Sequence, residues 1–214
     1  FSTPLALYAL AVFISKDNKF SIKLLLITLL AFSFHQVALP IVIIGVFFSV
    51  ILKKIPLSIN KFKWSAVIIF ILFIVVAKFI LGDILINISS RVEAEYAQDL
   101  GIFRLPNIKA FFTFLVILFF MNKKMYKNKI FSVFFLLFVV GVAFRIGFSD
   151  FAILSGRFAT AFSFSEIFIL PFIFYRFKHL NITLLMLFVI LQGIATYMFQ
   201  APHVIIDYFR PLAL

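Results

Sequence analysis

The sequence predicts an all-α fold, a polytopic integral membrane helix bundle of about eight spanning segments with one long outer loop. Three observations predict it. Of 214 residues, 64% are hydrophobic and 13% charged, with a mean hydropathy of +1.19, outside the range of soluble globular domains. Apolar runs recur that are long enough, or nearly so, to cross hydrocarbon about 30 Å thick. The lysines fall in short clusters between those runs, as they do in cytoplasmic membrane loops. One transmembrane domain over residues 1–214 accounts for all three. Earlier helices are expected upstream, because the chain starts at Phe1 with no signal-like charged segment before the first apolar run.

Ser2 to Ser15 reads as a short apolar helix closed by Lys16-Asp-Asn-Lys19. Phe20 to Leu52 is too long for one crossing and is interrupted at Ser33-Phe-His-Gln36 and at Pro40. Two helices with a tight turn near His35 fit it better, since Lys53 and Lys54 then return to the side of Lys16 and Lys19. After the basic segment Lys53 to Lys63, a span runs from the interfacial Trp64 to Leu81. Gly82 to Asn107 is the long loop, with mixed charges: Asp83, Arg91, Glu93, Glu95, Asp99 and Arg104. Ile108 to Met121 crosses back to the lysine cluster between Asn122 and Lys129. Ile130 to Ile146 crosses again and carries Arg145 at its end. A short outer loop with Asp150 leads to a helix from Phe158 to Tyr175, stopped by Arg176-Phe-Lys-His179. Asn181 to Phe199 is the last span, and Gln200 to Leu214 is a tail.

If every lysine cluster lies on one side, these crossings alternate without conflict. The other side then receives His35, the 82–107 loop, Arg145, Asp150, Arg157 and the tail with Arg210. The expected partition is lysine inside and arginine outside, with Arg176 as the one inner arginine. The net charge of +12 is thereby matched to anionic membrane lipids, and nucleic acid is not an expected partner. The absence of cysteine excludes disulfides and thiolate chemistry, and the three histidines show no metal-ligand spacing. No metal and no cofactor is expected.

Chemistry is therefore sought among the outer arginines, whose planar forks grip phosphate at two points. Arg157 follows Gly156 at a helix entrance, where free amides add to anion binding. Arg145 ends the preceding span, and Arg91 and Arg104 sit in the long loop; the ordinary alternative for each is to cap a helix or pair with Glu93, Glu95, Asp99 or Asp150. Glu93, Glu95, Asp99 and Asp150 are candidate bases, or simply a solvated loop surface. His35, at the outer turn, offers an imidazole as proton acceptor, against the ordinary alternative of a histidine satisfied by backbone. Glu166 lies nine residues after Arg157, so on one continuous helix the two would point apart; its expected role is hydrogen bonding between helices.

The run Leu-Ala-Phe-Ser-Phe-His35-Gln-Val-Ala-Leu resembles a segment of the bacterial polysaccharide polymerases of the Wzy and EpsG-like group, which make O-antigen, capsule and exopolysaccharide. Ser155-Gly-Arg157-Phe, leading to Glu166 and Pro171, resembles that group's second recurrent segment. The resemblance covers the chain as the later part of a longer protein. It implies a multi-pass glycosyltransferase of the bacterial cytoplasmic membrane that joins repeat units carried on undecaprenyl pyrophosphate at the outer face. For that reaction, in which negative charge grows on the departing pyrophosphate, the residues expected to act are Arg157 with Arg145 on the pyrophosphate, and His35 or an acidic residue of the 82–107 loop taking the proton. The long loop would contact sugar hydroxyls, and a flippase and chain-length regulator proteins would be partners. A ligase, another lipid-dependent glycosyltransferase, and a transporter without chemistry are the competing classes. A transporter should show mid-membrane breaks and inverted repeats, and only Phe20 to Leu52 reads as broken.

Overall fold

A computed structural model describes residues 1–55, 57–81, 103, 105–149 and 154–194, with backbone only at 81, 105, 154 and 157. Every regular element among them is helical. In chain order these are α1 (Ser2–Ser15), α2 (Ile22–Phe34), α3 (Ala38–Lys54), α4 (Ile59–Val75), α5 (Leu105–Phe120), the short α6 (Lys123–Lys127), α7 (Lys129–Gly147), α8 (Ala159–Ser163) and α9 (Glu166–Phe174). A further helix, α10, covers 181–194. One π turn, Val76–Leu81, extends α4, and a second, Leu154–Phe158, precedes α8.

The helix ends follow from local chemistry. Past α1, Asp17 and Asn18 take positive φ (55° and 64°), which Asp and Asn tolerate better than other side-chain-bearing residues. The Asn18 amide then reaches the Phe13 carbonyl and the Asp17 amide that of Ile14, the paired bonds of a Schellman ending. Ser21, Ser58, Asn122 and Asn128 cap α2, α4, α6 and α7, each accepting from a first-turn amide. Pro40 falls in the first turn of α3, where an amide has no helical acceptor anyway. The turn expected near His35 is where α2 ends and the path to α3 begins.

The chain divides into two compact units, Phe1–Ile169 and Leu170–Leu214. In the first, α7 is the central helix. It is apolar on every side and buried along nearly its whole length, as a helix surrounded by other helices must be. Phe135, fully buried, stacks with Phe131 and Phe114 and meets Phe62 at ring separations of 6.1 to 6.3 Å. Gly141 admits a close backbone approach: a Cβ there would lie 2.5 Å from the Ser163 amide nitrogen and 3.0 Å from the Phe162 carbonyl carbon. Small residues at such crossings let helix backbones touch. The outer faces of α2, α4 and α5 expose Leu25, Leu29, Ile68, Ile71, Phe112 and Phe119, an apolar girdle that suits lipid and not water. In the second unit, Lys178 (φ 41°) breaks the helical path between α9 and α10.

Three helical stretches are long and apolar enough to cross a membrane, Ile59–Ile80, Lys129–Gly147 and Ala159–Ile194, and α1, α2 and α5 are shorter apolar helices. The protein is a membrane protein by these helices. At 1.5 Å per residue, the 13 residues of α2 reach about 20 Å, short of a full crossing. Against the expected count of about eight spans, three helical stretches among the described residues are long enough to cross. The helix expected from Phe158 to Tyr175 is divided. It begins as a π turn, breaks at Phe164–Ser165, and resumes as α9. The cause is visible: Ser163 and Ser165 turn their hydroxyls back onto the Ala159 and Phe162 carbonyls, a pattern that bends helices.

Candidate functional site

Three lysine clusters meet at one end of the first unit. Asp17 accepts from Lys53 at 2.9 Å and from Lys129 at 3.1 Å. Nearby, Asn18 and Ser49 exchange hydrogen bonds, and the Tyr126 hydroxyl donates to the Leu57 carbonyl. The clusters around Lys16, Lys53 and Lys129 therefore share a side, as alternation of the crossings requires. Because α7 starts there, its last turn with Arg145 stands at the opposite end.

At that opposite end the chain returns from α7 through the Leu154–Phe158 turn to α8. Ser155 donates to the Arg145 carbonyl at 2.8 Å, closing one of the free carbonyls at the end of α7. The Arg145 side chain runs the other way, and its Nη2 donates to Thr160 Oγ1 at 2.7 Å. Its Nε is buried with no acceptor among the described residues.

The bend at Phe164–Ser165 places Glu166 at the start of α9, where a carboxylate also suits the helix dipole. The residue is only 8% exposed. Its Oε2 accepts from Lys109 Nζ of α5 at 3.1 Å, and its Oε1 is buried without a partner among the described residues. Glu166 is also the charge that acts on Arg145 through space. Three helices thus contribute an ammonium, a guanidinium and one buried carboxylate to a common region. Glu166 bridges helices, as its place in the sequence suggests, but it does so as an ion pair.

His35 ends α2. Its carbonyl accepts from the Ser2 hydroxyl, and its Nδ1 accepts from the Val37 amide at 3.1 Å. An accepting Nδ1 carries no proton, so the ring proton of the neutral imidazole resides on Nε2. In this arrangement the lone pair a base would use is engaged in holding the turn. The hydrogen bonds of His35 lie within the α1–α2–α3 turn and do not reach Arg145.

Arg157 falls in the Leu154–Phe158 turn, and only its backbone is described. Arg91, Glu93, Glu95, Arg104 and Asp150 lie outside the described residues, as do Asp99 and Arg210.

The lysine–arginine partition needs a correction. Lys109 stands with Arg145, and so does Lys78, whose neighbour Ala77 packs against Gly147 at the end of α7. Lysine is therefore present at the arginine end. There Lys109 is paired with the buried carboxylate of Glu166. Lys109 escaped sequence reading because its partner lies 57 residues away on another helix. Its one signal was a lysine standing alone at the far end of a span.

The family model described as the EpsG family matches residues 1–213. No curated protein and no solved structure matches the chain.

Proposed function

The chain belongs to the EpsG family, one of polysaccharide biosynthesis, and on that premise we propose that it is a glycosyltransferase polymerising lipid-linked repeat units at the outer face of the cytoplasmic membrane. The family match over nearly the whole chain is the observation that carries this reading. The substrates are oligosaccharides on undecaprenyl pyrophosphate. A hydroxyl of one lipid-linked unit attacks the anomeric carbon of the growing chain. A glycosidic C–O bond forms, the C–O bond to pyrophosphate breaks, and the bonding pair leaves with the lipid pyrophosphate. The hydroxyl proton passes to a base.

Negative charge grows on the departing group, so cations already in place lower the barrier. Arg145 suits this task because Thr160 and Ser155 fix both its fork and its backbone before any substrate arrives. Arg157, in the Leu154–Phe158 turn that leads into α8, is its partner on the pyrophosphate. Glu93, Glu95, Arg91, Arg104 and Asp150 contact sugar hydroxyls or phosphate. An acidic residue of the 82–107 loop takes the proton, or His35 does after its Nδ1 releases the Val37 amide. A flippase supplies the units, and chain-length regulator proteins set when transfer stops.

Deleting the gene and resolving surface glycan on a gel tests the assignment. Loss of long chains with single units retained is the expected result. Unexported lipid-linked units would instead identify a flippase, and full-length polymer left unattached would identify a ligase.

A further inference from the structure

A groove opens between α4 and α5 at the lysine end of the first unit, away from Arg145 and its partners. Asn60, Lys63, Trp64, Val67 and Leu118 line a space of about 250 Å³. Its place is fixed by the Tyr126 hydroxyl, which donates to the Leu57 carbonyl just before α4, and by the Phe62 and Tyr126 rings at 4.9 Å. Val67 and Leu118 supply apolar surface that continues into the exposed faces of α4 and α5 at Ile68, Ile71 and Phe119. Asn60, Lys63 and Trp64 supply the polar rim, and their side chains have no hydrogen bond or ion pair among the described residues.

We propose that this groove holds one anionic phospholipid of the leaflet on the lysine side, its phosphate against Lys63, Asn60 and Trp64 and the start of an acyl chain along Val67 and Leu118. The order of chemistry along α4 is that of an amphiphile: amide and ammonium first, the indole next, and apolar surface from Val67 onward. Tryptophan settles where headgroups meet chains, and its indole N–H is a donor. A lysine beside it lays its methylenes on apolar surface and keeps its ammonium among the headgroups. Charge selects the headgroup. The described carboxylates are Asp17, held by Lys53 and Lys129, and Glu166, held by Lys109, so none of them neutralises Lys63. Size argues against a soluble ligand. Clefts that enclose small molecules measure about 300–1,000 Å³, and this smaller groove leaves most of its occupant outside, among the other lipids.

Trp64 is the chain's one tryptophan, so its fluorescence reports on this groove alone. The test reconstitutes the full chain in phosphatidylcholine vesicles holding a minor fraction of phosphatidylglycerol, with quenching bromines on the acyl chains of one lipid or the other. Brominated phosphatidylglycerol is expected to quench Trp64 as if enriched about fivefold over its share of the bilayer, the factor one lysine supplies at a charged surface. Lys63→Gln should return it to that share, and Lys63→Arg should keep the enrichment. Lys16→Gln, which alters a lysine of the same end outside the groove, should stay within about twofold of wild type. Quenching of the wild type in simple proportion to lipid composition would overturn the proposal, since the groove would then meet bulk lipid or be covered by protein. Enrichment that survives Lys63→Gln, or falls as far in Lys16→Gln, would also overturn it, by making the preference one of overall charge. Relief of quenching by free glycerol phosphate would make the ligand a phosphate and not a lipid. Should Lys63→Gln not reconstitute, Val67→Phe, which narrows the apolar part of the groove, is read in its place: enrichment unchanged in that variant overturns the proposal.

Discussion

Asp17 and Lys129 lie 3.1 Å apart across 112 residues of chain, and the same carboxylate holds Lys53 at 2.9 Å. One acidic residue in a left-handed turn therefore joins the loop after α1 to the end of α3 and the start of α7. The contact is a surface one, and its value is organisational: it gathers three basic loops at one end of the first unit.

That contact makes a pH prediction. The Asp17 carboxyl is held below the ordinary aspartate range, chiefly by the hydrogen bond from Lys53 and then by that from Lys129. A carboxyl lowered in the folded state binds fewer protons there than when unfolded. Its contribution is present above the ordinary aspartate value and fades as pH falls through the lower folded one. Asp17→Asn should melt slightly below wild type in detergent at neutral pH, with the two curves converging in acid. A gap that widens in acid would contradict the assignment.

The two ends of the first unit should face opposite compartments. The chain has no cysteine, so single substitutions can be labelled without a background. Lys124→Cys should react only with a permeant maleimide and Gly156→Cys with an impermeant one added to intact cells. Labelling of both by the impermeant reagent would dissolve the proposed site, because the cations would no longer share the outer leaflet.

Arginine at positions 145 and 157 should not be replaceable by lysine, which keeps the charge and loses the fork. Arg145→Lys and Arg157→Lys are each expected to reduce polymer at least tenfold, on the order of the 1.5–3 kcal/mol typical of a charged hydrogen bond. Thr160→Val, which removes the oxygen 2.7 Å from Arg145 Nη2, should lower activity without changing expression. Near-normal polymer from Arg157→Lys would remove that residue from the mechanism.

Gly141 should tolerate no larger side chain. An added Cβ would meet the backbone at Phe162 and Ser163, and neither can swing aside as a side chain would. Gly141→Ala is predicted to cost about 1–3 kcal/mol, the usual range for overpacking, read as a lower melting temperature. Gly156→Ala is the control: a Cβ at that position would meet nothing within 4 Å, so the variant should melt at or above wild type.

Much of this protein was legible before any coordinates. Hydropathy and composition alone identified helices that suit lipid, because bilayer thickness acts on each segment by itself. The His35 turn and the clustering of lysines at one end followed from the order of residues along the chain. Tertiary structure decided what depends on residues far apart in sequence meeting in space. The pairing of Glu166 with Lys109, 57 residues away on another helix, is invisible to periodicity. Engagement of the His35 lone pair by the Val37 amide, and the lysine standing at the arginine end, likewise belong to the folded chain. The physical reason is range: hydrophobic and capping preferences operate within a few residues, whereas a buried charge takes whichever counter-charge the packed helices bring within reach.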